Sequence, residues 1–178
     1  MSEKNKESLF QKQKEARPKI EDVIGDVLDG DRRKNALDFV AYLRANKMNP
    51  QWASANSWKV SYQSQGVCYI RVHGTAHYHN LEAGSWHINY IGEIGSEYES
   101  FISHDKIKEI AWANVKYCTN CSSCGPGHHV MFLGREFDKV CHRYIVIKNP
   151  DAEALDYAKK LVEANRYVMC IQSQVFFA

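Results

Sequence analysis

The sequence predicts an α+β fold: an antiparallel β-meander with helices packed on one face and a cysteine-rich metal-binding loop. Three observations carry that expectation. Apolar residues recur at helical spacing from Ile20 to Leu43 and again from Ala154 to Val162. Between them, from Trp58 to Tyr90, the apolar period changes to two. Cys118, Cys121 and Cys124 then crowd one short segment, with Cys141 downstream.

Residues 1–17 are rich in Lys, Glu and Gln, with only Leu9 and Phe10 apolar, and read as a flexible polar tail or a loose helix. Residues 18–178 read as one α+β domain containing the cysteine segment 118–141. Pro18 suits a first helical turn. Ile20, Val23, Ile24, Val27 and Leu28 make one stripe. Gly30 stops that helix and Asp31 is the expected N-cap of the next. The second helix carries Ala36, Leu37, Val40 and Leu43 on one face and ends near Asn46.

Trp58, Val60 and Tyr62 alternate with polar residues, as do Cys68, Ile70 and Val72, and the spacing places a turn at Gln65-Gly66. Trp86, Ile88 and Tyr90 make a third strand. Ser103 is the expected cap of a helix reaching Val115. Val130–Leu133 and Tyr144–Ile147 read as short strands. Asn149 or Asp151 caps a last helix with Ala154, Leu155, Ala158, Leu161 and Val162 on its apolar face. The stretch 167–178 is apolar and β-prone. Left in water it would be sticky, so it is expected to pack on the domain or on a second copy in a homodimer.

The chain has 178 residues, 44% hydrophobic and 25% charged, as an ordinary globular domain does. Its net charge of +2 does not favour nucleic acid. No apolar run is long enough for a membrane span. The opening residues lack the apolar core of a secretory signal, so a cytoplasmic location is expected, where thiols stay reduced.

In that setting the segment Cys118-x-x-Cys121-x-x-Cys124 reads as metal-binding. Each Cys-x-x-Cys lets two sulfurs converge on one ion across a tight turn, and Gly125 permits close backbone approach. Zinc takes four tetrahedral ligands, so Cys118, Cys121, Cys124 and Cys141 form a complete set, with His128, His129 and His142 as alternates for the fourth place. Four thiolates close the coordination sphere and imply a structural role. An iron–sulfur cluster uses similar spacing, although His142 stands where the usual proline would follow the distant cysteine. A redox dithiol is a further alternative, as are reduced thiols with no ion. Cys68 and Cys170 sit in apolar stretches and read as core.

Here the chain resembles a group of uncharacterised bacterial proteins of similar length. They share a Cys-x-x-Cys-x-x-Cys-x-Pro-Gly segment and a Gly-x-Glu-Phe-x-x-Val-Cys segment, which are Cys118 to Gly127 and Gly134 to Cys141 in this sequence. The resemblance implies that the four cysteines act as a unit. It implies no activity.

By alternation Arg71, His73, His87 and Asn89 lie opposite the Trp/Ile/Val face. They read as a solvated sheet surface or as a site for an anionic or polar small molecule. His77 and His79 share a strand face and form a weak second metal pair. Trp52, Trp58, Trp86 and Trp112 read as core more readily than as an aromatic pocket. No phosphate-cradling glycine loop or nucleophile elbow occurs, and no base is paired with a nucleophile. The expectation is therefore a zinc-stapled module that binds a small molecule or a protein, rather than an enzyme. A thiol or iron–sulfur redox protein is the alternative.

Overall fold

The computed structural model describes residues 8–74, 82–90, 105–120 and 125–175, and the side chains of 105, 142–144 and 168–175 lie outside that description. Its elements run α1 (Leu9–Ala16), α2 (Ile20–Val27), α3 (Gly30–Ala45), β1 (Gln51–Ser54), β2 (Ser57–Tyr62), β3 (Gln65–His73) and β4 (Ser85–Tyr90). Then come α4 (Asp105–Ala113), β5 (Val115–Tyr117), β6 (His128–Phe132), β7 (Arg135–Lys148) and α5 (Ala152–Val175). This is the expected α+β class, and every strand pairing is antiparallel.

β1 to β4 form the meander, in the order of the sequence. β7 then joins the edge of β4, and β5 and β6 pair with β7. The long β7 therefore serves two sheets. Its C-terminal end completes the meander, and its N-terminal end builds a small lobe with β5 and β6.

The apolar phase of the meander packs under helices α2, α3 and α5. Trp58, Val60, Cys68, Ile70, Val72, Trp86 and Ile88 are all buried, as are Ile24, Leu28, Phe39, Val40, Leu43, Leu155 and Leu161 on the helices. Burying each such side chain stabilises the fold by about 1.5–3 kcal/mol. Polar pins fix the layers. Tyr90 Oη donates to Ala158 O at 2.6 Å, Trp58 Nε1 to Pro18 O at 3.2 Å, and Asn35 Nδ2 to Pro150 O at 2.9 Å.

Several local expectations are corrected. The turn between β2 and β3 is Gln63-Ser64, both left-handed, and it closes on the Tyr62–Gln65 pair. Gly66 falls instead beside a register shift where Val67 is extra, so Val67 and Cys68 are both buried. Gly30 opens α3 rather than ending α2, and Asp31 sits in its first turn. Val115 belongs to β5, not to a helix. The strand expected at Tyr144–Ile147 is the end of a strand that starts at Arg135. The β-prone C-terminus is helical through Val175, because α5 continues past Tyr167. Residues 176–178 and Ser103 lie outside the described residues.

Of the polar tail, residues 9–16 are helical. Ser8 and Gln11 close a reciprocal capping box. Gln13 Oε1 accepts from Asn56 N at 2.7 Å and Trp52 Nε1 at 3.3 Å, while Phe10 lies 5.8 Å from the Trp52 ring. The helix is therefore docked on β1. Asp151 caps α5 by accepting from Ala154 N. Asn149 instead bridges to Trp86, accepting from Trp86 N through Oδ1 and donating its own N–H to Trp86 O.

Candidate functional site

Two groups of residues carry chemistry: the cysteines of the small lobe and the polar face of the meander.

The lobe places Cys118 and Cys141 around one rung. Tyr117 pairs with Val140, and Cys118 N donates to Lys139 O at 2.6 Å. Cys118 follows one member of the rung and Cys141 the other. Cys118 is partly exposed, Cys141 is 7% exposed, and neither is in a disulfide. Asn120, left-handed at φ 52°, directs its N–H at Cys118 Sγ from 3.4 Å, and the same sulfur lies 3.6 Å from Asn120 Oδ1. An amide N–H two residues after a cysteine and aimed at its sulfur is what a metal-bound thiolate needs, because it disperses negative charge on sulfur. Gly127 lies against this corner. A Cβ there would stand 2.7 Å from Cys118 Cβ and from Lys139 Cα. Only glycine lets β6 enter so close.

Cys121 and Cys124 lie outside the described residues. Among the described residues no three His, Cys, Asp or Glu side chains gather as a metal site. Of the four expected ligands, Cys118 and Cys141 are described, and the Cys118 sulfur receives an amide N–H from Asn120. Of the alternates, His129 Nδ1 pairs with Asp138 Oδ1 at 2.7 Å, His128 is exposed, and the His142 side chain lies outside the description. The Asp138 hydrogen bond raises the pKa of the exposed His129.

On the meander, Arg71, His73, His87 and Asn89 share one face, opposite the helices. Register makes a row across four strands: Ser57 pairs with Arg71, Arg71 with His87, and His87 with Lys148. A neighbouring row joins Lys59, Tyr69, Asn89 and Val146. This face is not simply solvated. Ser85 is 3% exposed, His87 5% and Asn89 4%, so β4 is buried on both sides. The His73 and His87 rings stack at 4.8 Å, with Nε2 of His73 2.9 Å from Nδ1 of His87. Asn89 Nδ2 lies 3.2 Å from His87 Nε2. Burial first, and then the charges of His73, Arg71, Lys116 and Lys148, push the His87 pKa down to about 3. The imidazole is neutral at ordinary pH.

Sequence alternation found four members of this face. It missed Lys148 and Lys116, because β7 and β5 join the sheet out of chain order. The tryptophans do not gather into a pocket. Trp58 and Trp86 are core, Trp52 docks on α1, and Trp112 Nε1 donates to Phe132 O at 3.0 Å. Cys68 is core as expected, and burial raises its thiol pKa far above the ordinary range. His77 and His79 fall outside the described residues, and the Cys170 side chain lies outside the description. A groove of about 400 Å³ lies between α4 and α5, lined by Ile107, Ile110, Tyr157 and the charged Lys106, Glu153, Asp156 and Lys160. Among the described residues no helix is long and apolar enough to cross a membrane. Comparison of the chain with protein-family models, curated proteins and solved structures gives no match.

Proposed function

We propose that the chain is a cytoplasmic, non-enzymatic binding module whose small lobe is stapled by one zinc ion on Cys118, Cys121, Cys124 and Cys141. The observation that carries this is the Tyr117–Val140 rung. It brings the backbones of two cysteines distant in sequence to one stretch of the ladder, and Cys121 and Cys124 follow Cys118 within six residues of the sequence. The lobe also has a physical need for a staple. Phe132, Leu133, Phe137 and Val140 are buried there, but Tyr117 and Met131 are each 56% exposed, and most of β6 faces water. A three-stranded sheet with so little core is marginal by itself.

Zinc would supply cross-links and no chemistry, since four thiolates leave no open position. The module's binding function would then reside outside the lobe. The decisive experiment is anaerobic purification of the full chain, followed by metal analysis and an absorption spectrum. The expected result is one zinc per chain and a colourless protein. A brown sample containing iron and acid-labile sulfide would replace zinc with a cluster on the same cysteines. A sample with neither metal would overturn the proposal.

A further inference from the structure

The groove of about 400 Å³ between α4 and α5 has two walls of different chemistry. From α4 come Ile107 and Ile110, three residues apart and so on one face of that helix. From α5 come Asp156, Tyr157 and Lys160. Asp156 and Lys160 stand four residues apart, as neighbours on the helix surface. Both are exposed, and among the described residues neither has an ion-pair or hydrogen-bond partner. The other charged pair of the groove is already engaged: Lys106 of α4 and Glu153 of α5 meet at 2.6 Å and bridge the two helices.

Tyr157 differs from the other tyrosines packed on α5. Tyr90 Oη donates to Ala158 O, and Tyr42 Oη to Glu163 Oε1. Tyr157 lines the groove and is 1% exposed, yet its hydroxyl has no hydrogen-bond partner among the described residues. Buried polar groups are as a rule hydrogen-bonded, because an unmet hydroxyl forfeits the bond it made to water. Burial raises the Tyr157 pKa well above its ordinary value, so the group keeps a proton to donate. The groove therefore holds three unmet polar groups: a carboxylate, an ammonium and, between them in sequence, a hydroxyl.

We propose that this groove is a binding site for a free α-amino acid with an aliphatic side chain. Lys160 pairs with the ligand's carboxylate and Asp156 with its ammonium. The Tyr157 hydroxyl donates to the carboxylate, and Ile107 and Ile110 cover the side chain. A simple anion would meet Asp156 and a simple cation would meet Lys160, so the α5 wall favours a molecule that carries both charges close together. The volume falls in the range of small-molecule sites, which pair an apolar lining with a few placed polar groups. The inference goes beyond the zinc-stapled module and depends neither on the metal nor on the polar face of the meander.

The test is calorimetric titration of the full chain with leucine, isoleucine, valine and methionine, each alone. At least one is expected to bind saturably. The analogues of that ligand without its ammonium or without its carboxylate (for leucine, isocaproate and isoamylamine) are expected to bind about tenfold more weakly or worse, the scale of one hydrogen bond to a charged group. Asp156→Asn and Lys160→Gln, both at exposed positions, are expected to weaken binding by a similar factor. Lys34→Gln on α3 removes the same charge outside the groove and is expected to leave binding unchanged. Tyr157→Phe separates ligand from scaffold. It is expected to weaken binding while the ligand-free chain melts no lower, since the hydroxyl removed has no partner to lose. No saturable binding by any of the four amino acids would overturn the proposal. So would an analogue that binds as tightly as its parent, or equal losses in Lys34→Gln and Lys160→Gln.

Discussion

The meander and the small lobe share β7 but are held together by different physics. Across β2, β3 and β4 each inward position is a large apolar side chain beneath a helix, with Trp58, Ile70, Trp86 and Ile88 at 1% exposure or less. Across β5 and β6 the pattern is mostly exposed, and the described contacts are small. Trp112 reaches Phe132 O, and the Arg135 guanidinium lies 5.6 Å and 5.2 Å from the rings of Trp112 and Phe137. One half folds by burial. The other is a short three-stranded sheet with a thin core, into which Cys118 and Cys141 are built. A metal would therefore be dispensable in the meander and decisive in the lobe.

The largest expected effect follows directly. Cys118→Ser should lose the metal and destabilise the lobe by about 5 kcal/mol or more, because metal binding and folding are one equilibrium in such sites. Hydrogen exchange should show β5, β6 and the N-terminal half of β7 losing protection while β2 to β4 keep theirs. Uniform loss across the molecule would erase the distinction between the two halves. The converse change is Trp58→Ala, which empties the meander core. It should cost about 3–5 kcal/mol by denaturant unfolding and leave the metal content unchanged. Gly127→Ala should cost about 3 kcal/mol, because the new methyl meets Cys118 Cβ and the Lys139 backbone at 2.7 Å. Unlike Trp58→Ala, it should weaken metal retention as well.

A pH measurement probes the other face. The folded His87 has a pKa of about 3, below its ordinary 6.5. The unfolded chain therefore takes up a proton that the folded chain refuses. The native state holds its full stability above pH 6.5 and loses it as pH falls from 6.5 toward 3. By pH 5 the loss from this group is about 2 kcal/mol. His87→Asn should flatten that part of the stability profile, and an unchanged slope would show that the imidazole is not shielded. The smallest effect is Asp151→Ala, which removes the α5 cap and should cost about 1 kcal/mol in thermal unfolding, with metal binding untouched.

The meander was legible in the sequence because only one of its faces is apolar, so Trp58, Val60, Ile70 and Trp86 stand out at period two. β7 was half hidden. Its first residues, Arg135, Glu136, Asp138 and Lys139, belong to the thin lobe and are exposed, so alternation has little to mark. β1 and β5 are too short to establish any period. The helical C-terminus went unseen because β-branched and aromatic residues have strand propensity, and the continuing α5 overrides it. The cysteine motif was visible through spacing, yet the Tyr117–Val140 rung that Cys118 and Cys141 flank depends on sheet order, which spacing does not encode. The same holds for the basic row. Arg71, His73, His87 and Asn89 follow from alternation, whereas Lys148 enters only because β7 lies beside β4. Gly127 stands in the sequence only as the end of the cysteine motif, and packing shows that a side chain there has no room.

The zinc staple is tested most sharply by thiol labelling read by mass spectrometry, before and after a chelator, on protein purified without oxygen. Cys118, Cys121, Cys124 and Cys141 are expected to resist labelling together and to become reactive together as the metal is withdrawn, with Cys68 remaining protected in the meander core. Free labelling of Cys118 in the untreated protein, or release of the four thiols one by one without any metal leaving, would contradict a shared ion.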